Sequence, residues 1–136
     1  MKKKDLKLSV VILNYNRLSE TEKEIKELLK EKRFISEIIL IEQANNISVV
    51  NMAKKYPVKI IRTQNLGLGG WNLGSSLAKS DILLLLDDDS YPSFGAIEKG
   101  LLYFKNKSLG IVAPKIMNKN GQIQWPRFLD KKTEVA

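Results

Sequence analysis

The chain contains no cysteine and no histidine in 136 residues. Their absence excludes disulfide frameworks, zinc fingers, iron–sulfur clusters and every Cys-His or Ser-His-Asp mechanism. Any metal must therefore be held by oxygen. Long hydrophobic runs are missing too: Leu8 to Leu13 falls far short of the ~20 apolar residues a spanning helix needs. No signal-peptide layout of basic, apolar and small-residue regions is present, so the expected setting is the cytoplasm, extending at most to the inner face of the membrane. Internal repeats and low-complexity linkers are absent, and the length suits one domain over residues 1–136 with a single core.

Acids are the minority charge, 15 against 23 lysines and arginines, for a net charge of +8. That balance favours anionic partners such as nucleotides, lipid headgroups or nucleic acid without choosing among them. Lys2, Lys3, Lys4 and Lys7 read as a solvated basic arm, compatible with peripheral association at a membrane. Basic strands interleaved with aromatics are lacking, so nucleic acid is not an expected partner.

What is present is an alternation. Leu8 to Leu13 is a β-branched run closed by Asn14-Tyr15-Asn16, a buried strand ending in a polar loop. Ser19 and Glu22 have capping-box spacing, and Ile25, Leu28 and Leu29 continue a helix to about Lys32. Ile38 to Ile41 predicts a second strand, Val49 to Ala53 a short helix stopped by Pro57, and Val58 to Ile61 a third strand. A glycine-rich loop from Gln64 to Gly70 precedes a helix from about Trp71. Ile82 to Leu86 is the most apolar run and predicts a buried strand, followed by a helix opened by Pro92 with Phe94, Ile97, Leu101, Leu102 and Phe104 on its apolar face. A fifth strand is expected at Ile111 to Ala113, and a hairpin turn at Asn120-Gly121 between Ile116 and Ile123. The expected fold is α/β, a mostly parallel sheet with helices on both faces. Ligands of such sheets bind beyond the carboxyl ends of the strands, where Asn14 to Asn16, Glu42, the glycine loop and Asp87 to Asp89 fall.

Three consecutive carboxylates repel one another, and a divalent cation relieves that strain. Oxygen ligands suit magnesium or manganese, which take one or two protein carboxylates plus substrate phosphates. The bland alternative is a solvated acidic turn at a helix start. Gly67-Leu68-Gly69-Gly70 lacks the third glycine of a dinucleotide fingerprint, since position 72 is Asn72, and Ser75 replaces the lysine a P-loop requires. A plain turn into the next helix is the other reading. Tyr15 offers a ring to stack on a base and Asn14 and Asn16 offer amides to read it, although a tyrosine here also suits core packing.

Taken together, LSVVILNYNR at 8–17, RTQNLGLGGWNLG at 62–74, SDILLLLDDDSYP at 80–92 and GIVAPKIMNKNGQIQ at 110–124 resemble the amino-terminal part of family 2 glycosyltransferases, most similar to rhamnosyl- and galactofuranosyl-transferase-like members. The resemblance implies a GT-A fold, Rossmann-like, with the acceptor half truncated. It implies a donor site for a UDP- or dTDP-linked sugar formed by Asn14, Tyr15, Asn16, Glu42, Asn65, Gly69, Gly70, Asp87 and Asp88. Glu42 stands where the family usually has an aspartate that reads the base. The DXD motif falls on Asp87 and Asp89, with Asp87 or Asp88 on the ribose and Asp89, with Asp87, on Mg2+ or Mn2+.

The implied reaction is an inverting transfer of the sugar to a hydroxyl of a glycan or lipid-linked acceptor, in cell-envelope polysaccharide or glycoconjugate synthesis. The family's catalytic base lies downstream of the matched segments, and Asp130 and Glu134 stand in no matching context, so the base is not identified. A missing acceptor half implies exposed apolar surface near Trp125 and Phe128, and self-association into a homo-oligomer. Two rival readings remain: a non-catalytic nucleotide-sugar-binding module, and a haloacid-dehalogenase-type phosphatase with Asp87 as nucleophile. The second wants Thr or Val where Tyr91 stands.

Overall fold

The computed structural model describes residues 6–125. These fall into two compact units, one running through Leu102 and a second from Tyr103. The first is built on a four-stranded sheet of β1 (Leu8–Asn14), β2 (Ile35–Glu42), β3 (Lys59–Arg62) and β4 (Ile82–Asp87), in the order β3-β2-β1-β4. Every pairing is parallel. Parallel neighbours need crossover helices, and α1 (Ser19–Leu29), α2 (Ile47–Ala53) and α3 (Gly69–Leu77) supply them.

The period of two along a strand sorts the core into two layers. Leu8, Val10 and Ile12 of β1 join Ile38 and Leu40 of β2 beneath α1, α2 and α4 (Ala96–Tyr103). Val11, Leu13, Ile39 and Ile41 face the opposite way, against Trp71 and Ala78 beside α3. Helices thus cover both faces, as expected. All seven residues of β1 are buried because it is flanked on both edges and both faces.

Several local expectations are revised. The Ser19–Glu22 capping box does not form: Leu18 occupies the N-cap position without a side-chain bond, and the Ser19 hydroxyl donates to Glu20. The helix start is instead tied from β1, where the Asn14 amide donates to the Arg17 carbonyl and to Thr21 Oγ1. Helix α3 begins two residues before Trp71, at Gly69. Pro92 lies outside α4, which begins at Ala96 after Gly95 turns the chain at φ 86°. Only Ile97 and Leu101 of its expected apolar face are buried, while Phe94 is 79% exposed.

The most apolar run, Ile82 to Leu86, expected as a buried strand, is an edge strand. Among the described residues β4 pairs only with β1, none of its residues is fully buried, and Leu85 is exposed. Composition alone could not reveal this, because hydrophobicity reports what a strand is able to cover and not what covers it.

In the second unit, Asn120-Gly121 does make the turn between β5 (Ile116–Met117) and β6 (Ile123–Trp125), which pair antiparallel. Gly121 supplies the positive φ of 77°. No strand forms at Ile111 to Ala113, and Ile111 is exposed. Three apolar residues between Gly110 and Pro114 have no ladder among the described residues, and an unpaired strand leaves its backbone groups to water. Phe128, Asp130, Glu134 and the Trp125 side chain lie outside the described residues.

Candidate functional site

In the order β3-β2-β1-β4 the chain moves outward from β1 to β3, then returns to β1's other side as β4. The crevice of an open α/β sheet lies at such a reversal, beyond the carboxyl ends of β1 and β4. Asn14 pairs in register with Glu42, and Leu13 with Asp87, so β2, β1 and β4 end almost level. The polar residues singled out in the sequence are therefore brought to one rim.

At its centre is the loop after β1. Asn14 is fully buried and its amide shapes the turn into α1, leaving its Oδ1 without a partner. Tyr15 is exposed, so its ring is not core packing. Asn16 sits at φ 60°, a conformation asparagine tolerates better than most residues, and its Oδ1 accepts from Asn46 Nδ2 at 2.8 Å.

Toward β2, Glu42 is completely buried. Its Oε1 accepts the backbone N–H groups of Ala44 at 2.8 Å and Asn46 at 3.0 Å. Its Oε2 accepts none, and Arg62 Nε approaches it at 3.7 Å. Glu42, Asn45, Arg62, Thr63 and Gln64 line an open depression of about 300 Å³.

Toward β4, the three carboxylates divide. Asp88 is buried, accepting the Tyr15 N–H on Oδ2 at 2.7 Å, with Arg17 Nε 3.4 Å from Oδ1. Burial raises its pKa, and the Tyr15 N–H and Arg17 pull the other way. Asp87 and Asp89 are exposed, and Arg17 reaches Asp89 at 3.9 Å. Partial desolvation, then the charge of Asp89, raises the pKa of Asp87. Among the described residues no three acidic side chains form a ready-made metal cage.

The glycine loop serves packing as well as the rim. A Cβ on Gly70 would stand 2.3 Å from Leu13 Cδ1 and 2.9 Å from Gln43 Oε1, and one on Gly74 2.3 Å from Val11 Cγ1. Helix α3 lies on the sheet only because these side chains are missing. Gly69 meets nothing closer than Leu66 Cβ at 3.7 Å. Asn65 is exposed and its Oδ1 accepts the Gly67 N–H at 2.9 Å, while buried Gln43 holds the loop through Leu66 N and the Gly67 carbonyl.

Sequence reasoning missed Arg17, Arg62, Gln43 and Glu24. Arg17 closes the segment at 8–17 and Arg62 opens the one at 62–74, and position beside a strand's end was the available signal. Glu24 gave none. It lies on α1, fully buried, with neither carboxylate oxygen hydrogen-bonded, and burial followed by the charges of Asp88, Asp89 and Asp87 pushes its pKa up to about 9.

A parallel sheet with helices on both faces and a polar rim at its strand reversal is the GT-A kind of α/β fold. The chain belongs to glycosyl transferase family 2, whose family model matches residues 9–132. No curated protein matches it. Family 2 enzymes move a sugar from a nucleotide sugar to an acceptor, so the function class is glycosyl transfer. Among the described residues no helix is long and apolar enough to cross a membrane.

Proposed function

We propose that the chain binds a UDP- or dTDP-linked sugar across the ends of β2, β1 and β4 for inverting transfer to a hydroxyl of a glycan or lipid-linked acceptor. The observation that carries this reading is the level ending of those strands. It sets Glu42's orphaned carboxylate oxygen and the Asp87–Asp89 tip two strand spacings apart, ~10 Å, a gap that a ribose bridges between base and diphosphate. The base enters the Glu42 depression, Tyr15 stacks beside it, and Asn65 with the glycine loop lines the donor site.

Asp87 and Asp89 hold Mg2+ or Mn2+, because Asp88 is spent on Tyr15 and Arg17. Two carboxylates completed by substrate phosphates is a common magnesium arrangement, and it fits a site with no preformed cage. The cation, when bound, supplies Lewis-acid stabilisation of the leaving diphosphate. Asn14 keeps the loop that presents Tyr15 and Asn16 in shape.

On the resemblance of its asparagine–glycine loop and LDDD run, we further propose a rhamnosyl- or galactofuranosyl-transferase-like enzyme with a place in cell-envelope polysaccharide synthesis. Incubation with radiolabelled nucleotide sugars and a membrane-lipid acceptor fraction tests the reading. Metal-dependent product from a UDP or dTDP donor, lost in Asp89→Asn, is expected; product formation indifferent to metal would defeat it.

One observation favours a second reading, a donor-binding module without transfer. Among the described residues the one acid after Asp89 is Glu98, and it pairs with Arg33 at 3.5 Å. Among the described residues after Asp89, no carboxylate other than this paired Glu98 stands to accept the acceptor hydroxyl's proton. Nucleotide binding without product would select this reading.

A further inference from the structure

We infer that the second unit docks on an anionic lipid surface, its lysines meeting the headgroups and its exposed apolar side chains entering the interface. The charge of the chain is divided unevenly. Residues 6–102 carry 13 basic and 12 acidic side chains and are almost balanced, whereas residues 103–125 carry Lys105, Lys107, Lys115 and Lys119 and no acid at all. All four lysines are exposed, with no carboxylate in that stretch to pair with them.

Apolar surface accompanies the charge. No residue from Tyr103 to Gln124 is buried, and Ile111, Ile116, Met117 and Ile123 are 47% to 86% exposed. The described part of this unit therefore has no core of its own, and a two-stranded hairpin alone is marginal in water. Its turn nevertheless satisfies its own polar groups. Asn118 Oδ1 accepts the N–H groups of Asn120 at 3.0 Å and Gln122 at 2.9 Å, and its Nδ2 donates to Gln122 Oε1 at 3.0 Å. The outer edges of the hairpin remain open, which suits lying in the headgroup layer and does not suit entering the hydrocarbon.

Charge selects the occupant. Two copies of a surface bearing four lysines and no acid repel each other. Nucleic acid meets the charge but binds through aromatic rings stacked on bases, and none of the four exposed apolar residues is aromatic. An anionic membrane answers both features: each lysine near such a surface gains about fivefold in partition, and apolar side chains beside it add burial. Docking there brings the chain to the surface in which a lipid-linked acceptor resides. The inference is independent of the donor site.

Because the chain has no cysteine, Met117→Cys and Ile47→Cys each accept a single environment-sensitive fluorophore. The two positions are similarly exposed, 58% and 55%, and lie in the second and first units. The full chain is mixed, without nucleotide or metal, with vesicles of phosphatidylcholine alone or with an equal part of phosphatidylglycerol. The expected result is a blue shift of the Met117→Cys label with phosphatidylglycerol only, larger than that of Ile47→Cys. Lys105→Gln/Lys107→Gln/Lys115→Gln/Lys119→Gln lowers co-sedimentation with these vesicles by about tenfold or more, and Lys2→Gln/Lys3→Gln/Lys4→Gln lowers it less. No shift at Met117→Cys, an equal shift with phosphatidylcholine alone, an equal or larger shift at Ile47→Cys, or a greater loss in the amino-terminal variant overturns the inference. Self-association without vesicle binding assigns the surface to a second copy and overturns it as well. The label decides the case even if the four-lysine variant does not fold, and none of these outcomes touches the donor-site reading.

Discussion

The Tyr15 amide donates a 2.7 Å hydrogen bond to the Asp88 carboxylate, joining positions 73 residues apart. Arg17 closes on the same carboxylate, so the loop after β1 is fastened to the tip of β4. The middle aspartate of the triplet acts as a clamp, and its two neighbours face solvent.

That division predicts opposite behaviour for adjacent residues. Asp88→Ala lowers stability by about 1.5–3 kcal/mol, the worth of a buried hydrogen bond to a charged group. Asp89→Ala, half-exposed, changes it by less than about 0.5 kcal/mol. Urea unfolding at pH 7 distinguishes them, and equal losses would refute the clamp.

Glu24 predicts a pH dependence. Its folded pKa of about 9 exceeds the ordinary 4.5, so between those values the unfolded chain has released a proton that the folded chain keeps. This group's contribution is fully present below pH 4.5 and is lost as pH rises, at about 1.4 kcal/mol per pH unit, until about pH 9. Glu24→Gln holds no such proton, so the variant gains on wild type steadily from pH 5 to 9 in denaturant titrations. A pH-independent difference between the two proteins would contradict the assignment.

Gly74→Ala places a methyl group 2.3 Å from Val11 Cγ1 in the centre of the sheet, and an expected loss of about 1–3 kcal/mol follows from overpacking. Gly100, with nothing within 4 Å of its added Cβ, lies mid-helix in α4, and there alanine is neutral or stabilising by up to about 1 kcal/mol. Paired melting curves check both signs.

The alternation of strands and helices was legible because each leaves its own pattern: the apolar runs Leu8 to Leu13 and Ile38 to Ile41 read as strands, and Ile25, Leu28 and Leu29 recur at helical intervals. Less legible was anything decided by distant chain. Asn14, not Ser19, ties down the start of α1, and β4's edge position depends on which strands pair beside it. At the rim, the sequence marked the acidic triplet, but its division into a clamp and two exposed carboxylates arises from contacts with Tyr15 and Arg17. The sequence presents Gly70 as part of a loop or turn and Gly74 only as the last residue of a matched run, and the structure gives both a packing role that no local pattern encodes.

The central claim is that a divalent cation joins a nucleoside diphosphate to Asp87 and Asp89. NMR of the ¹⁵N-labelled chain titrated with substoichiometric Mn2+ and UDP tests it most directly, since the paramagnetic ion broadens amides near it. The account predicts broadening centred on Asp87 to Ser90, reaching Tyr15, dependent on UDP and abolished in Asp87→Asn/Asp89→Asn. Broadening centred elsewhere, or unchanged in that double variant, would contradict it.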